Sequence, residues 1–142
     1  MTSSLWRFGA EEESLASNGA SMNQVAAPER TLVLGGGFIG SHVANVAYSE
    51  GHNVTVFTRS QPVGTRAKLM SGCELILGDA LKTDPSELIQ DGDHIVFALG
   101  VTYPSEFPSH PMDEVVVALQ PLLGTLEAMR ARKNTSLMYI SS

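Results

Sequence analysis

Apolar positions along the chain alternate between short unbroken runs and helical spacing, which predicts strands and helices in turn. Each short run stops at glycine or at polar residues and is typical of a buried parallel strand. Five such runs are present: TLVLG (31–35), NVTVFTR (53–59), CELILG (73–78), HIVFALG (94–100) and SLMYISS (136–142). Two stretches have apolar residues at helical spacing instead, one after the first run and one over 112–132. Pro121 lies inside the second and should kink that helix or start a new segment.

Strands that alternate with helices over this length predict an α/β fold with a doubly wound parallel sheet, truncated after the fifth strand. Residues 30–142 form this single domain, whereas residues 1–29, rich in Ser, Ala, Asn and Glu, are expected to be a flexible N-terminal tail. A sheet that stops at its fifth strand has an open edge. We therefore expect the isolated chain to be marginally stable or to self-associate.

Composition narrows the function classes. A net charge of −6 and a pI of about 5.1 provide no basic face for nucleic acid or an anionic membrane. No apolar stretch approaches the roughly 20 residues of a membrane span, and the N-terminus has no signal-peptide pattern. Cys73 is the only cysteine, which favours a reducing, cytoplasmic location. The four histidines show no metal-ligand spacing, so no metal site is predicted.

The chemistry is concentrated in the sequence LVLGGGFIGSHVA (32–44). Gly35, Gly37 and Gly40 fit the pattern G-x-G-x-x-G between a predicted strand and a predicted helix, which is typical of a dinucleotide-binding turn. Gly35 permits the tight turn, Gly37 lets the backbone approach a diphosphate, and Gly40 allows close helix packing, with Gly36 as a spacer. The helix N-terminus, including Phe38 and Ile39, then presents free N–H groups to the phosphates. The alternative is a glycine-rich connection without a ligand.

The end of the second strand predicts which dinucleotide is bound. In this fold an acidic residue there accepts the 2′-hydroxyl of NAD, whereas an arginine pairs with the 2′-phosphate of NADP. Arg59 lies at this position, and Thr58 and Ser60 add hydroxyl groups. The prediction is therefore NADP in preference to NAD. The alternative is that Arg59 is a solvated surface residue.

Several segments, in order and spacing, resemble the extended short-chain dehydrogenase/reductases. They are LVLGGGFIGSHVA, GDA (78–80), DHIVFALG, LLGTLEAMRA and LMYISS. The nearest subgroup is the NAD-dependent epimerase/dehydratase type that acts on nucleotide-sugars, and the resemblance covers about residues 30–142, the first half of such an enzyme.

The resemblance implies further contacts and partners. Asp79 and Ala80 match the pair that contacts adenine, although Asp79 is also placed to cap a turn. Ala98, Leu99 and Gly100 match the strand end that lines the cofactor near the nicotinamide ribose. The loop 101–111 matches a segment of the substrate cleft, which implies a nucleotide-sugar substrate. The long helix 112–132 is the expected surface for a homodimer.

The chain departs from the family pattern in three places. Leu34 replaces the usual first glycine of the turn, and Pro121 replaces a common asparagine. The family's proton transfers need a Ser or Thr beyond the fifth strand and a Tyr-x-x-x-Lys pair, and none of the three tyrosines is followed by lysine four residues on. No catalytic residue is assigned, and the chain alone is expected to be inactive. Leu34 and Pro121 also fit an alternative, a non-catalytic NAD(P)-binding sensor or regulatory domain.

Overall fold

The computed structural model describes residues 2–8, 29–62, 68–100, 109 and 111–141. Six strands form one sheet in the order β1-β6-β5-β2-β3-β4. The strands are β1 (Thr2–Phe8), β2 (Arg30–Leu34), β3 (Asn53–Thr58), β4 (Glu74–Leu77), β5 (His94–Phe97) and β6 (Thr135–Ser141). The helices are α1 (Phe38–Ser49), α2 (Met112–Glu114) and α3 (Gln120–Arg130).

The predicted parallel sheet is confirmed. Strands β2 to β6 pair in parallel, and β2 lies between β3 and β5. After β2 the chain forms β3 and β4 on one side of β2 within the sheet. It then crosses back and forms β5 and β6 on the other side of β2. This reversal of strand order opens a crevice at the carboxyl ends of the strands, where ligands bind in folds of this class.

The first strand was not predicted. Thr2–Phe8 pairs antiparallel with β6, with Thr2 opposite Ser141 and Phe8 opposite Thr135, so this part of the expected tail is a strand. It also covers the edge of β6 that the sequence left open. The physical reason is that β6 presents unpaired backbone N–H and C=O groups, which a segment containing Thr, Trp and Phe can satisfy. Residues 9–28 lie outside the described residues.

Two apolar layers hold the sheet. On one face, Leu32, Phe97 and Leu137 are almost fully buried and pack with Met129 of α3. On the other face, valines of β2, β3 and β5 pack around the fully buried Ala44 of α1. The near-continuous apolar strands of the sequence follow from burial on both faces.

A charged network closes the end of the sheet that is remote from the crevice. Asp93 has no exposed surface, and its Oδ2 accepts hydrogen bonds from Arg30 Nη1 at 2.7 Å and from the Gln90 N–H at 2.8 Å. Arg30 also donates to the Leu88 carbonyl at 3.2 Å. Burial raises the pKa of the Asp93 carboxyl, while these hydrogen bonds and the Arg30 charge act to lower it.

The predicted helix 112–132 is present as three connected pieces. Between α2 and α3, Val115–Leu119 forms a π-helical turn that ends just before Pro121. Pro121 lacks an N–H, so an α-helical hydrogen bond to the Val117 carbonyl is unavailable, and the wider turn shifts the pairing by one residue. A kink or a new segment was expected at Pro121. The structure has a π-turn there, within a continuous helical segment.

Candidate functional site

A cleft of about 380 Å³ opens at the carboxyl ends of β2, β3 and β5. Its walls come from the glycine turn, the end of β3, the segment after β4 and the end of β5. Most of the residues predicted from the sequence therefore meet in one place. The predicted residues that line the cleft are Gly35, Gly37, Thr58, Arg59, Ser60, Asp79, Ala80, Ala98, Leu99 and Gly100.

Three predicted residues do not line the walls. Phe38, Ile39 and Gly40 form the first turn of α1, and the exposed ring of Phe38 lies 4.5 Å from the ring of His42. Their contribution can only come from the backbone. Gly37 is the N-cap and has no side chain that could accept hydrogen bonds from the helix N-terminus. The first turn also contains no acidic residue. The N–H groups of this turn are consequently left for an anion.

The glycine turn is held by contacts on both sides. Gly35 has a φ of +107°, and a Cβ at that position would lie 2.8 Å from the Ala98 carbonyl carbon. Its N–H donates to the Phe57 carbonyl at 2.8 Å. The fully buried Ser41 donates its hydroxyl proton to the Gly36 carbonyl at 3.0 Å. Ser41 was missed from the sequence because no motif marks a serine that bonds back to the turn.

Gly36 and Gly37 differ in what surrounds them. A Cβ on Gly36 would lie 2.8 Å from Thr58 Cβ, so the expectation that Gly36 is only a spacer is wrong. A Cβ on Gly37 would meet no atom within 4 Å. The open space at Gly37 is what a diphosphate against the turn requires, and the residues present therefore fit a dinucleotide.

The end of β3 supplies the only cationic side chain among the described residues that line the cleft. Arg59 and Ser60 are exposed, whereas Thr58 is buried beneath the glycine turn. Arg59 forms no ion pair with another described residue. Its guanidinium is accordingly available to an anionic ligand. This agrees with a contact to the 2′-phosphate, and it agrees equally with a solvated surface arginine.

Asp79 takes part in a turn and also lines the cleft. Its Oδ1 accepts from the Leu81 N–H at 2.9 Å, and its carbonyl accepts from the N–H groups of Lys82 and Thr83. The predicted turn cap is therefore present, although it does not exclude a ligand contact. Oδ2 has no partner among the described residues, which leaves one carboxylate oxygen for a hydrogen-bond donor in the cleft.

Several lining residues were not predicted. Gln61 and Pro62 directly follow the predicted Ser60, so a longer window would have included them. Val117 comes from the π-turn, 58 residues beyond Arg59, and no local pattern places it here. The proposed substrate loop 101–111 lies outside the described residues apart from Ser109 and Pro111.

Other groups of the described residues do not form a second centre. No cluster of three metal-ligating side chains is found among them. Cys73 is half-buried beside the valine layer, and burial raises the pKa of its thiol. None of the described helices has the length and apolar character that crossing a bilayer demands.

Comparison with known proteins is consistent with this architecture. The family model described as the NAD dependent epimerase/dehydratase family matches residues 31–142. No curated protein matches the chain significantly.

Solved structures share the fold at low sequence identity. A UDP-glucose 4-epimerase superposes with a TM-score of 0.61 at 21% identity, covering 72% of this chain and 32% of that one. A UDP-N-acetylglucosamine 4-epimerase from Methanobrevibacter ruminantium M1, in complex with UDP-N-acetylmuramic acid, gives 0.63 at 20% identity, covering 75% and 36%. The Bordetella bronchiseptica enzyme WbmF, in complex with NAD+, gives 0.63 at 15% identity, covering 77% and 34%. The chain thus spans about a third of the length of each.

Proposed function

The chain belongs to the NAD-dependent epimerase/dehydratase family, and from this premise we propose that it binds NADP, or less tightly NAD, as the cofactor-binding part of a nucleotide-sugar epimerase, dehydratase or reductase. The observation that carries the proposal is the glycine turn. It combines open space at Gly37 with an uncapped helix N-terminus at the mouth of one cleft. A bound nicotinamide dinucleotide supplies reversible hydride transfer.

The residues of the chain bind and orient the cofactor in this proposal. The turn at Gly35–Gly37 and the backbone of Phe38 and Ile39 receive the diphosphate. Arg59, with the hydroxyl of Ser60, reads the 2′-phosphate of NADP. Asp79 Oδ2 accepts a hydrogen bond from the exocyclic amine of adenine, and Ala98, Leu99 and Gly100 lie along the nicotinamide ribose.

Catalysis is assigned to no residue of this chain. Among its tyrosines, Tyr139 stacks on Phe97 with ring centroids 5.9 Å apart, and it lies half-buried in the core. Neither Tyr48 nor Tyr103 is followed by lysine four residues on, so no Tyr-x-x-x-Lys pair is assigned and the chain is expected to bind cofactor without turnover. The nucleotide-sugar substrate is suggested by the solved structures that share the fold.

Titration with NADPH and NADH tests the binding proposal directly. Calorimetry should show saturable binding of both, with NADPH the tighter ligand. Equal or weaker binding of NADPH would remove the role of Arg59, and binding of neither would contradict the proposed function. A UDP-glucose turnover assay with the same protein is expected to show no product, and measurable epimerisation would overturn the assignment of inactivity.

A non-catalytic sensor or regulatory domain is the second candidate. Leu34 favours it, because this residue fills the place of the family's first glycine and is only 3% exposed within the core. Cofactor binding is common to both candidates. A change in the chain's self-association on adding NADPH, without any turnover, would favour the sensor.

A homodimer and a cytoplasmic location complete the proposal. The segment Met112–Leu123 carries six exposed large apolar side chains, and such a surface is typical of a protein interface. They are Met112, Val115, Val116, Val117, Leu119 and Leu123. A cytoplasmic location rests on the single cysteine.

A further inference from the structure

Ala80 lines three neighbouring cavities. It lines the main cleft of about 380 Å³, a groove of about 330 Å³, and a small interior void of about 10 Å³. The groove runs between residues 80–85 and α3, on the side of Ala80 away from the glycine turn. Among the described residues, Ala80 and its neighbour Leu81 line both the cleft and the groove, so the two spaces meet at this turn.

The groove is lined in part by polar side chains, which differ in whether they already have a hydrogen-bond partner. Lys82 and Asp84 enter from the segment after β4, and Gln120 enters from α3. Asp84 Oδ1 accepts from the Ser86 N–H at 2.9 Å, a bond that lowers the pKa of this carboxyl. Lys82 forms no ion pair with a described residue. The groove thus offers Lys82 to an anionic group, and it also contains the negative charge of Asp84, which the lowered pKa of that carboxyl keeps ionised.

We propose that the cleft is open sideways at Ala80, so that it accepts a dinucleotide carrying a substituent on the exocyclic amine of adenine. The substituent extends into the groove beside Lys82. This inference rests on the proposed function, which sets adenine against Asp79 and Ala80. A singly substituted amine keeps one N–H, which can still donate to Asp79 Oδ2. Ala80 is then the residue that determines specificity at the base end of the site.

The size of the side chain at residue 80 decides the outcome. Ala80 is half-buried and faces all three spaces, so a leucine there must occupy one of them. The interior void is too small to take it without strain, because its volume of about 10 Å³ is barely that of one water probe. The larger side chain is expected to close the passage between cleft and groove.

The experiment compares the more tightly bound parent dinucleotide with its N6-carboxymethyl and N6-aminoethyl derivatives, by calorimetry on the full chain. The wild type should bind the carboxymethyl derivative within about threefold of the parent. Because Ala80 also borders the adenine, the readout is the affinity of each derivative relative to that of the parent, and this ratio should fall about tenfold or more in Ala80→Leu. Ala80→Val provides a smaller substitution if the leucine variant does not fold, and circular dichroism reports folding in each case.

Lys82→Gln tests the charge of the groove. Relative to the wild type, the variant should bind the carboxymethyl derivative more weakly and the aminoethyl derivative no less tightly, because the negative charge of Asp84 remains. The inference is overturned if the wild type rejects both derivatives as strongly as Ala80→Leu does. It is also overturned if Ala80→Leu and Ala80→Val leave the derivatives unaffected. Failure of the proposed function gives a different result, namely no binding of the unsubstituted parent.

Discussion

Thr58 packs directly against Gly36, so that the end of β3 and the glycine turn occupy adjoining space with no room for a methyl group between them. A Cβ on Gly36 would lie 2.8 Å from Thr58 Cβ and 3.1 Å from Thr58 Cγ2. The neighbouring Gly37 has no such contact. Two adjacent glycines therefore differ in their surroundings, since one packs against a neighbouring strand and the other faces open space.

Substituting these two glycines should separate stability from binding. Gly36→Ala forces the turn away from Thr58 and should lower the free energy of unfolding by about 1–3 kcal/mol, as overpacking does. Gly37→Ala meets open space and should leave stability nearly unchanged. It should nevertheless weaken dinucleotide binding, because the methyl lies where the diphosphate approaches. Urea denaturation and calorimetric titration measure the two effects.

A specific pattern would contradict this separation. If Gly37→Ala binds NADPH as well as the wild type does, the diphosphate does not lie on the turn. If Gly36→Ala is as stable as the wild type, the contact with Thr58 is relieved without cost. Thr58→Gly combined with Gly36→Ala removes the opposing Cβ and should recover stability in part.

Arg59→Gln should abolish the preference for NADPH. Loss of a charge-assisted hydrogen bond to phosphate costs about 1.5–3 kcal/mol, equivalent to about tenfold or more in affinity. NADH has no 2′-phosphate, so its affinity should change little. Arg130→Gln is the matched control, because Arg130 lies exposed at the end of α3 and pairs only with Glu127 among the described residues. An equal loss for both dinucleotides would show that Arg59 does not read the 2′-phosphate.

Asp93 should give stability a characteristic pH dependence. Burial is the largest influence and raises the pKa of Asp93 above its ordinary value of 3.8, so the folded state holds the proton more tightly than the unfolded state. The stability that this group contributes is complete below pH 3.8 and declines as the pH rises through the folded pKa. Relative to Asp93→Asn, which mimics the neutral acid and does not titrate, the free energy of unfolding of the wild type should fall as the pH rises over that range.

The opposite slope would be equally informative. A wild-type advantage that grows with pH would mean that the attraction of Arg30, at 2.7 Å, outweighs burial. Asp91→Asn supplies the baseline, because Asp91 is exposed and accepts a single backbone hydrogen bond from Lys133.

Leu123→Glu should reduce self-association. Leu123 is 57% exposed on α3, within the apolar surface proposed for a homodimer, and a buried unpaired carboxylate there is costly. Val46→Glu is the control, since Val46 is 63% exposed on α1, which packs on the opposite face of the sheet. Sedimentation velocity should show a dimer for the wild type and Val46→Glu, and a monomer for Leu123→Glu. A monomeric wild type would rule out the interface.

The features that could be predicted from the sequence are determined by residues that are close together along the chain. The five parallel strands follow from apolar runs such as 31–35, and their positions were confirmed. The glycine turn was recognisable because its spacing and its place between strand and helix are both local. The family was likewise identified from contiguous segments, and the match over residues 31–142 confirms it.

The parts that were missed depend on partners distant in sequence. Gly36 meets Thr58, 22 residues away, and nothing in a glycine's neighbours reveals such a contact. Val117 lies in the π-turn before Pro121 and lines the cleft, whereas the sequence indicated only some disturbance of the helix. The strand Thr2–Phe8 was missed because its pairing depends on the edge of β6, more than 120 residues later.

Strand β1 contains the residue responsible for the intrinsic tryptophan fluorescence of the protein. Trp6 is the chain's only tryptophan, and it lies in β1 opposite Leu137 of β6. Any tryptophan emission therefore originates in this edge strand, whereas circular dichroism averages over all the helices and strands. If β1 detaches before the parallel strands unfold, the two signals will change at different denaturant concentrations. Comparison of the two unfolding curves can thus distinguish undocking of the edge from unfolding of the whole domain.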